Sequence, residues 1–289
     1  MTIAADIKLF DENLAFNEGR SRRILPRRIA LTASIAYANG ARHTLDVCRP
    51  KSATAAPVIV FFYGGGWRSG SKRTYRYVAK ALARRGYVAV LPDYRIYPQA
   101  RYPDFLNDGA LAVRWVKDNA KRFGGDPQKI FLMGHSAGAH IAAMLAIDAT
   151  WLQKVWLMPG RDIAGLIGIS SPYDFLPLKD ETLKIIFGGN RPETQPITHV
   201  TPGAPPALLL TGDKDDVVGA GNSTRLAEKL RAAGNDATAV IYPRIGHYLI
   251  VAAIAPVIRA LVPVLGDIDD FIAKVLKSRP RAQVGEAAP

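Results

Sequence analysis

The sequence predicts an α/β protein with a mostly parallel central sheet covered by helices on both faces. Three observations carry this. Apolar runs of strand length alternate with amphipathic stretches of helix length along most of the chain. Several runs, such as Val58-Ile59-Val60-Phe61-Phe62, are apolar throughout rather than at every second position, as strands buried on both faces are. Finally, 289 residues at 48% apolar content can bury a large core, and one α/β domain is the natural unit.

In chain order, residues 1–34 read as helical segments broken at Gly19 and Pro26, expected to fold over the sheet's carboxyl edge as a lid. Residues 35–277 form the expected α/β body. Its strands are 58–62, 87–91, 129–133, 164–169, 206–211 and 238–242, and its helices 71–85, 107–122, 137–147 and 223–233. Residues 171–204 make an irregular excursion between two strands. With the N-terminal segment it is expected to form a small cap, where α/β folds place ligand contacts. Leu249 to Leu265 contains Pro256, Arg259 and Pro263; it is too short and broken for a membrane span and is expected to pack as helix beside the pocket. Residues 278–289 are expected to be a disordered tail.

Chemistry concentrates in Gly134-His135-Ser136-Ala137-Gly138, which follows the apolar run Lys129-Ile130-Phe131-Leu132-Met133 and opens the helix from Ala137 to Ile147. A G-x-S-x-G turn between strand and helix holds its serine in a strained conformation with Oγ exposed. Strand before and helix after make this a nucleophile elbow rather than a chance pentapeptide.

A serine hydroxyl needs a base, and the base needs an orienting acid. Of His43, His135, His140, His199 and His247, only His199 and His247 follow the serine, and only His247 also follows a plausible acid loop. His140, one turn along the elbow helix, is too rigidly placed and reads as a packing or hydrogen-bonding residue. The acid should end the preceding strand, where Gly212-Asp213-Lys214-Asp215-Asp216-Val217 offers three carboxylates. Spacing favours Asp215 over Asp216, with Asp213 and Asp216 as turn formers or caps.

Acyl transfer develops an oxyanion, so donors must already face it. The run 58–62 leads into Tyr63-Gly64-Gly65-Gly66-Trp67, and a triple glycine lets backbone N–H groups face a cavity unobstructed. A phosphate loop would instead show Gly-Lys-Ser/Thr or G-x-G-x-x-G, and neither occurs. The candidate donors are the N–H groups of Gly65, Gly66 and Ala137. Trp67 is a candidate for stacking on substrate, or equally a core-edge aromatic. Trp151 and Trp156 are read either as pocket lining or as packing.

With these parts in this order, the chain resembles serine esterases of the α/β-hydrolase fold, and within them the hormone-sensitive-lipase-like, kynurenine-formamidase-like and feruloyl-esterase-like groups. Leu45-Asp46-Val47 with Arg49-Pro50 resembles their "LDVYRP" entry strand, and Asp93-Tyr94-Arg95 with Pro98 and Pro103 their "DYRLAPE…P" segment. Phe123-Gly124-Gly125-Asp126-Pro127 matches "FGGDP", and the elbow through Ala139-His140 is similar to the formamidase-like "GHSAGAH". Asp174 resembles the family's "YDL" and is read as structural. Tyr63 replaces the histidine that usually opens the glycine loop and props it; a tyrosine hydroxyl can do so from a longer lever. Gln99 stands where many relatives carry Glu. The resemblance implies a carboxylic ester hydrolase working through an acyl-enzyme on short to medium acyl esters, with neither cofactor nor metal. The alternatives are an arylformamidase and a non-catalytic binding protein on the same scaffold.

Net charge is +13, with Arg20, Arg22, Arg23, Arg27 and Arg28 near the N-terminus and Arg68, Lys72, Arg73 and Arg76 after the glycine loop. No nucleic-acid module accompanies it, so a solvated basic surface is the reading and no nucleic-acid partner is expected. The alternative is contact between the Arg-rich segment and an anionic membrane surface. Basic residues beyond the loop can also draw in acidic esters. Cys48 is the only cysteine, which rules out an intrachain disulfide. Met1 to Phe16 does not read as a signal peptide, and a cytoplasmic monomer or homodimer is expected.

Overall fold

A computed structural model describes residues 28–255 and 262–278. Eight strands form one sheet in the order β1-β2-β4-β3-β5-β6-β7-β8: β1 Ile29–Ala36, β2 Thr44–Pro50, β3 Ala56–Phe62, β4 Val88–Pro92, β5 Gly125–His135, β6 Gly165–Ile169, β7 Ala207–Gly212 and β8 Ala237–Tyr242. β1 pairs antiparallel with β2, and β2 with β4. From β4 to β8 every pairing is parallel. β4, β6 and β7 are buried at every residue, which requires cover on both faces.

The helices that matter for the site are α1 Arg76–Arg85, α2 Asp104–Asn119, α3 Ala137–Ile147, α4 Glu181–Phe187, α5 Gly221–Ala232, α6 His247–Ala252 and α7 Val264–Ser278. Three of them show their local determinants plainly. α1 stops at Gly86, whose φ of 107° receives the left-handed C-cap turn. α3 is apolar around its circumference apart from His140, and all of its residues are buried. Asp180 caps α4 by accepting from the Leu183 amide.

Two expectations need correction. Residues 29–34 are not helical: they belong to the edge strand β1, because pairing with β2 overrides local propensity. The remainder of the expected lid, 1–27, lies outside the described residues, as do 256–261 and the tail beyond Ser278. The helix expected from 71 starts at Arg76. The Lys72 amide and Nζ are both tied to the Asp93 carboxylate, at 2.7 and 3.0 Å, and this holds the segment as turns.

Register positions the site. Phe62 of β3 pairs with Gly134 of β5, Gly134 with Gly168 of β6, and Gly212 of β7 with Tyr242 of β8. The carboxyl ends of these strands therefore finish at one edge, where the glycine loop, the elbow, the acid loop and the base loop emerge side by side. Among the described residues no helix is long and apolar enough to cross a membrane.

Candidate active site

The elbow is built by close backbone contact. Ser136 has φ 53° and ψ −125°, a strained conformation for a residue with a side chain. It is tolerated because the flanking glycines let β5 and α3 approach: a Cβ on Gly138 would meet the Phe62 carbonyl oxygen at 2.1 Å, and one on Gly134 the Gly138 carbonyl carbon at 2.4 Å. The Ser136 amide donates to the Ile169 carbonyl at 2.9 Å, locking the turn against β6.

Ser136 and Asp215, respectively 111 and 32 residues from His247 along the chain, meet it here. Ser136 Oγ lies 2.9 Å from His247 Nε2. His247 Nδ1 faces both carboxylate oxygens of Asp215, at 3.1 and 3.0 Å. Facing a carboxylate, Nδ1 carries the proton and donates it, which leaves Nε2 to accept from the serine hydroxyl. Asp215 also accepts from the Val217 and Val218 amides, at 3.1 and 2.9 Å. Burial pushes its carboxyl up, but the hydrogen bonds from His247 and Val218 outweigh this and hold its pKa at about 2. Asp215 and His247 are buried, whereas Asp216 is exposed and Asp213 accepts from the Arg244 amide at 2.6 Å.

Ser136 and His247 open on a cavity of about 520 Å³, which Gly64, Gly65 and Gly66 also line. Gly65 has φ 137°, and a Cβ there would collide with the Ser69 carbonyl oxygen at 2.3 Å, so the loop needs glycine. Ala137 is the first residue of α3, where a helical amide has no acceptor within its own helix. The anchor of the glycine loop differs from the expected one. The Tyr63 hydroxyl does not act alone: Arg42 Nη2 donates to it at 2.6 Å and to the Gly70 carbonyl at 3.0 Å, while Arg42 Nε holds the Tyr94 carbonyl. The Tyr94 hydroxyl in turn donates to the Tyr63 carbonyl at 2.7 Å.

A second network, unseen in the sequence, runs behind the serine. His135 Nε2–H donates to the His247 carbonyl at 3.0 Å, and its Nδ1 lies 3.4 Å from the Tyr75 hydroxyl. Burial, reinforced by the neighbouring His247, lowers the His135 pKa to about 3, so it is neutral and its bond direction is set. The base loop is thereby tied to the elbow strand.

Trp67 requires correction. It is 3% exposed and does not line the cavity; its ring packs against Phe105, His140, Phe175 and Phe187. Trp151 is buried and Trp156 is 86% exposed, and neither reaches the cavity. His140 is buried and bonds the Thr194 carbonyl at 2.8 Å, as a packing residue would. Asp174 pairs with Arg225 at 2.6 Å.

The sheet order and this arrangement at its carboxyl edge define the class as an α/β-hydrolase. Within that class the chain belongs to the BD-FAE family, whose model matches residues 45–230. It is similar to the esterase LipC of Mycobacterium tuberculosis, 31% identical over 250 residues covering 79% of this chain and 61% of LipC. It is also similar to the isoprenylcysteine alpha-carbonyl methylesterase ICME of Arabidopsis thaliana, at 30% over 236 residues, or 72% of this chain and 54% of that one. The chain thus spans less than two thirds of the length of these curated relatives. Among solved structures, apo esterase 2 of Thermogutta terrifontis matches with a TM-score of 0.71 at 26% identity, covering 91% of this chain and 100% of that one. A further structure of that esterase is phosphorylated by paraoxon.

Proposed function

We propose that this protein is a carboxylic ester hydrolase in which Ser136, His247 and Asp215 form the catalytic triad. The observation that carries the reading is the 2.9 Å contact between Ser136 Oγ and His247 Nε2, with Nδ1 of the same ring on Asp215. His247 takes the serine proton as Oγ attacks the ester carbonyl. The tetrahedral oxyanion is received by the N–H groups of Gly65, Gly66 and Ala137, helped by the positive end of α3. His247 then protonates the leaving alcohol. A water molecule, deprotonated by the same imidazole, releases the acid and restores the hydroxyl. Asp215 fixes the ring and stabilises its cationic form. Esters of short to medium acyl chains are the proposed substrates, in keeping with a cavity of about 520 Å³ and with the esterase names of the relatives.

The test is turnover of p-nitrophenyl acetate through octanoate by the wild type and by Ser136→Ala, with N-formylkynurenine as the competing substrate. The wild type is expected to hydrolyse the esters and to be labelled stoichiometrically by a fluorophosphonate. The variant should retain only the residual rate that binding and oxyanion stabilisation supply. Substantial activity in Ser136→Ala, or a large preference for the formamide, overturns the reading.

A further inference from the structure

The cavity has two unlike sides. Val217 and Tyr248, at its mouth, are 56% and 51% exposed and present apolar surface to an incoming ligand. Arg68 stands beside the glycine loop: a Cβ on Gly66 would lie 3.6 Å from Arg68 Nε. Among the described residues lining the cavity, Arg68 carries the only fixed charge, and none is a carboxylate. Asp215 bonds the far side of the His247 ring and is not among them.

The guanidinium has a resting partner that is easily replaced. Its Nη1 lies 3.1 and 3.4 Å from the carboxylate oxygens of Asp180, with the two side chains 45% and 40% exposed. An ion pair this open to water is weak and exchanges readily. Asp180 engages one nitrogen of a planar fork whose geometry suits a carboxylate. A ligand anion entering a partly enclosed cavity meets the same cation with less water around it, where attraction is stronger.

Building on the esterase reading, we propose that Arg68 is a specificity-determining residue that receives a carboxylate carried by the ester substrate. Asp180 acts as the counter-ion that this carboxylate displaces. The preferred substrate class is then esters that are themselves acidic, with an apolar portion against Val217 and Tyr248.

The experiment compares kcat/KM for matched esters. On the acyl side these are p-nitrophenyl hydrogen glutarate and p-nitrophenyl valerate; on the alcohol side, 4-acetoxybenzoate and its methyl ester. In at least one pair the acidic ester is expected to win by about tenfold at low salt, the scale of one charge-assisted contact, with the advantage shrinking as sodium chloride is added. Arg68→Gln should bring the ratio toward one. Asp180→Asn, which still caps α4, should raise it. Lys274→Gln and Asp236→Asn change net charge equally at an exposed ion pair outside the cavity lining and should leave the ratio unmoved. The inference is overturned if the ratio is at or below one in both pairs, if the Arg68 and Asp180 variants shift it in the same direction, or if the control variants shift it as much. Turnover of neutral esters with a ratio of one would sink this inference alone. No turnover of any ester would sink the esterase reading with it.

Discussion

Asp215 and Asp216 are chemically identical neighbours that the fold treats differently. Asp215 points inward, with its oxygens shared between the His247 ring and the Val217 and Val218 amides, whereas Asp216 is exposed. Under the proposed mechanism Asp215→Asn should lower kcat on order of 10⁴-fold, because an amide facing Nδ1 favours the wrong imidazole tautomer. Asp216→Asn should change it little; steady-state kinetics of the two variants on one ester decides, and the opposite ranking would move the acid by one position. Loop spacing singles out the same carboxylate that contacts the His247 ring. It does not reveal the supporting residues. His135 acts on His247 across 112 residues, and Arg42 meets Tyr63 only because β2 runs antiparallel to β4, which brings the turn before β2 to the same sheet edge as the end of β3. No local pattern records such partners.

At the scale of elements, the strand–elbow–helix unit from β5 to α3 was readable because its determinants are adjacent in sequence: an apolar run, two glycines and an apolar helix. Its tolerance for change is small. Gly138→Ala places a methyl 2.1 Å from the Phe62 carbonyl oxygen, a backbone atom of a central strand that cannot swing aside. Overpacking of this kind costs about 1–3 kcal/mol or more, so thermal denaturation should show a Tm lower by about 2–4 °C for each kcal/mol in a domain of this size. An unchanged Tm would mean that β3 and α3 do not touch at this glycine. β1 was misread for the complementary reason. Its sequence is compatible with helix, and only the ladder to β2 makes it a strand.

For the whole molecule, two buried histidines weaken the fold as pH falls below 6.5. Burial lowers His140 to about 4 and His135 to about 3, from an ordinary 6.5. Both are neutral in the fold and bind a proton on unfolding below 6.5. Their contribution to stability is therefore complete above pH 6.5 and is lost as pH falls, through about 4 for His140 and about 3 for His135. Each steepens the decline by about 1.4 kcal/mol per pH unit across most of that window. Urea midpoints measured between pH 7 and 4 should fall accordingly, and His140→Gln, which keeps a donor for the Thr194 carbonyl, should flatten the slope by about half. A slope equal to that of the wild type would show that His140 titrates normally in the fold.

The sequence by itself determined the α/β class, the strand–turn–helix at Ser136, the glycine loop and the chain order of Ser136, Asp215 and His247, the three side chains that meet at the sheet edge. Each is a local pattern, or an order of local patterns, and local patterns follow from backbone sterics and from which faces of a strand or helix are apolar. Only the tertiary structure decided that Trp67 turns into the core while Arg68, one residue on, turns to the cavity, and that His135 and Arg42 brace the site from behind. The direction a side chain takes from a loop depends on which distant surfaces pack against it, and the spacing of residues along a chain does not encode that.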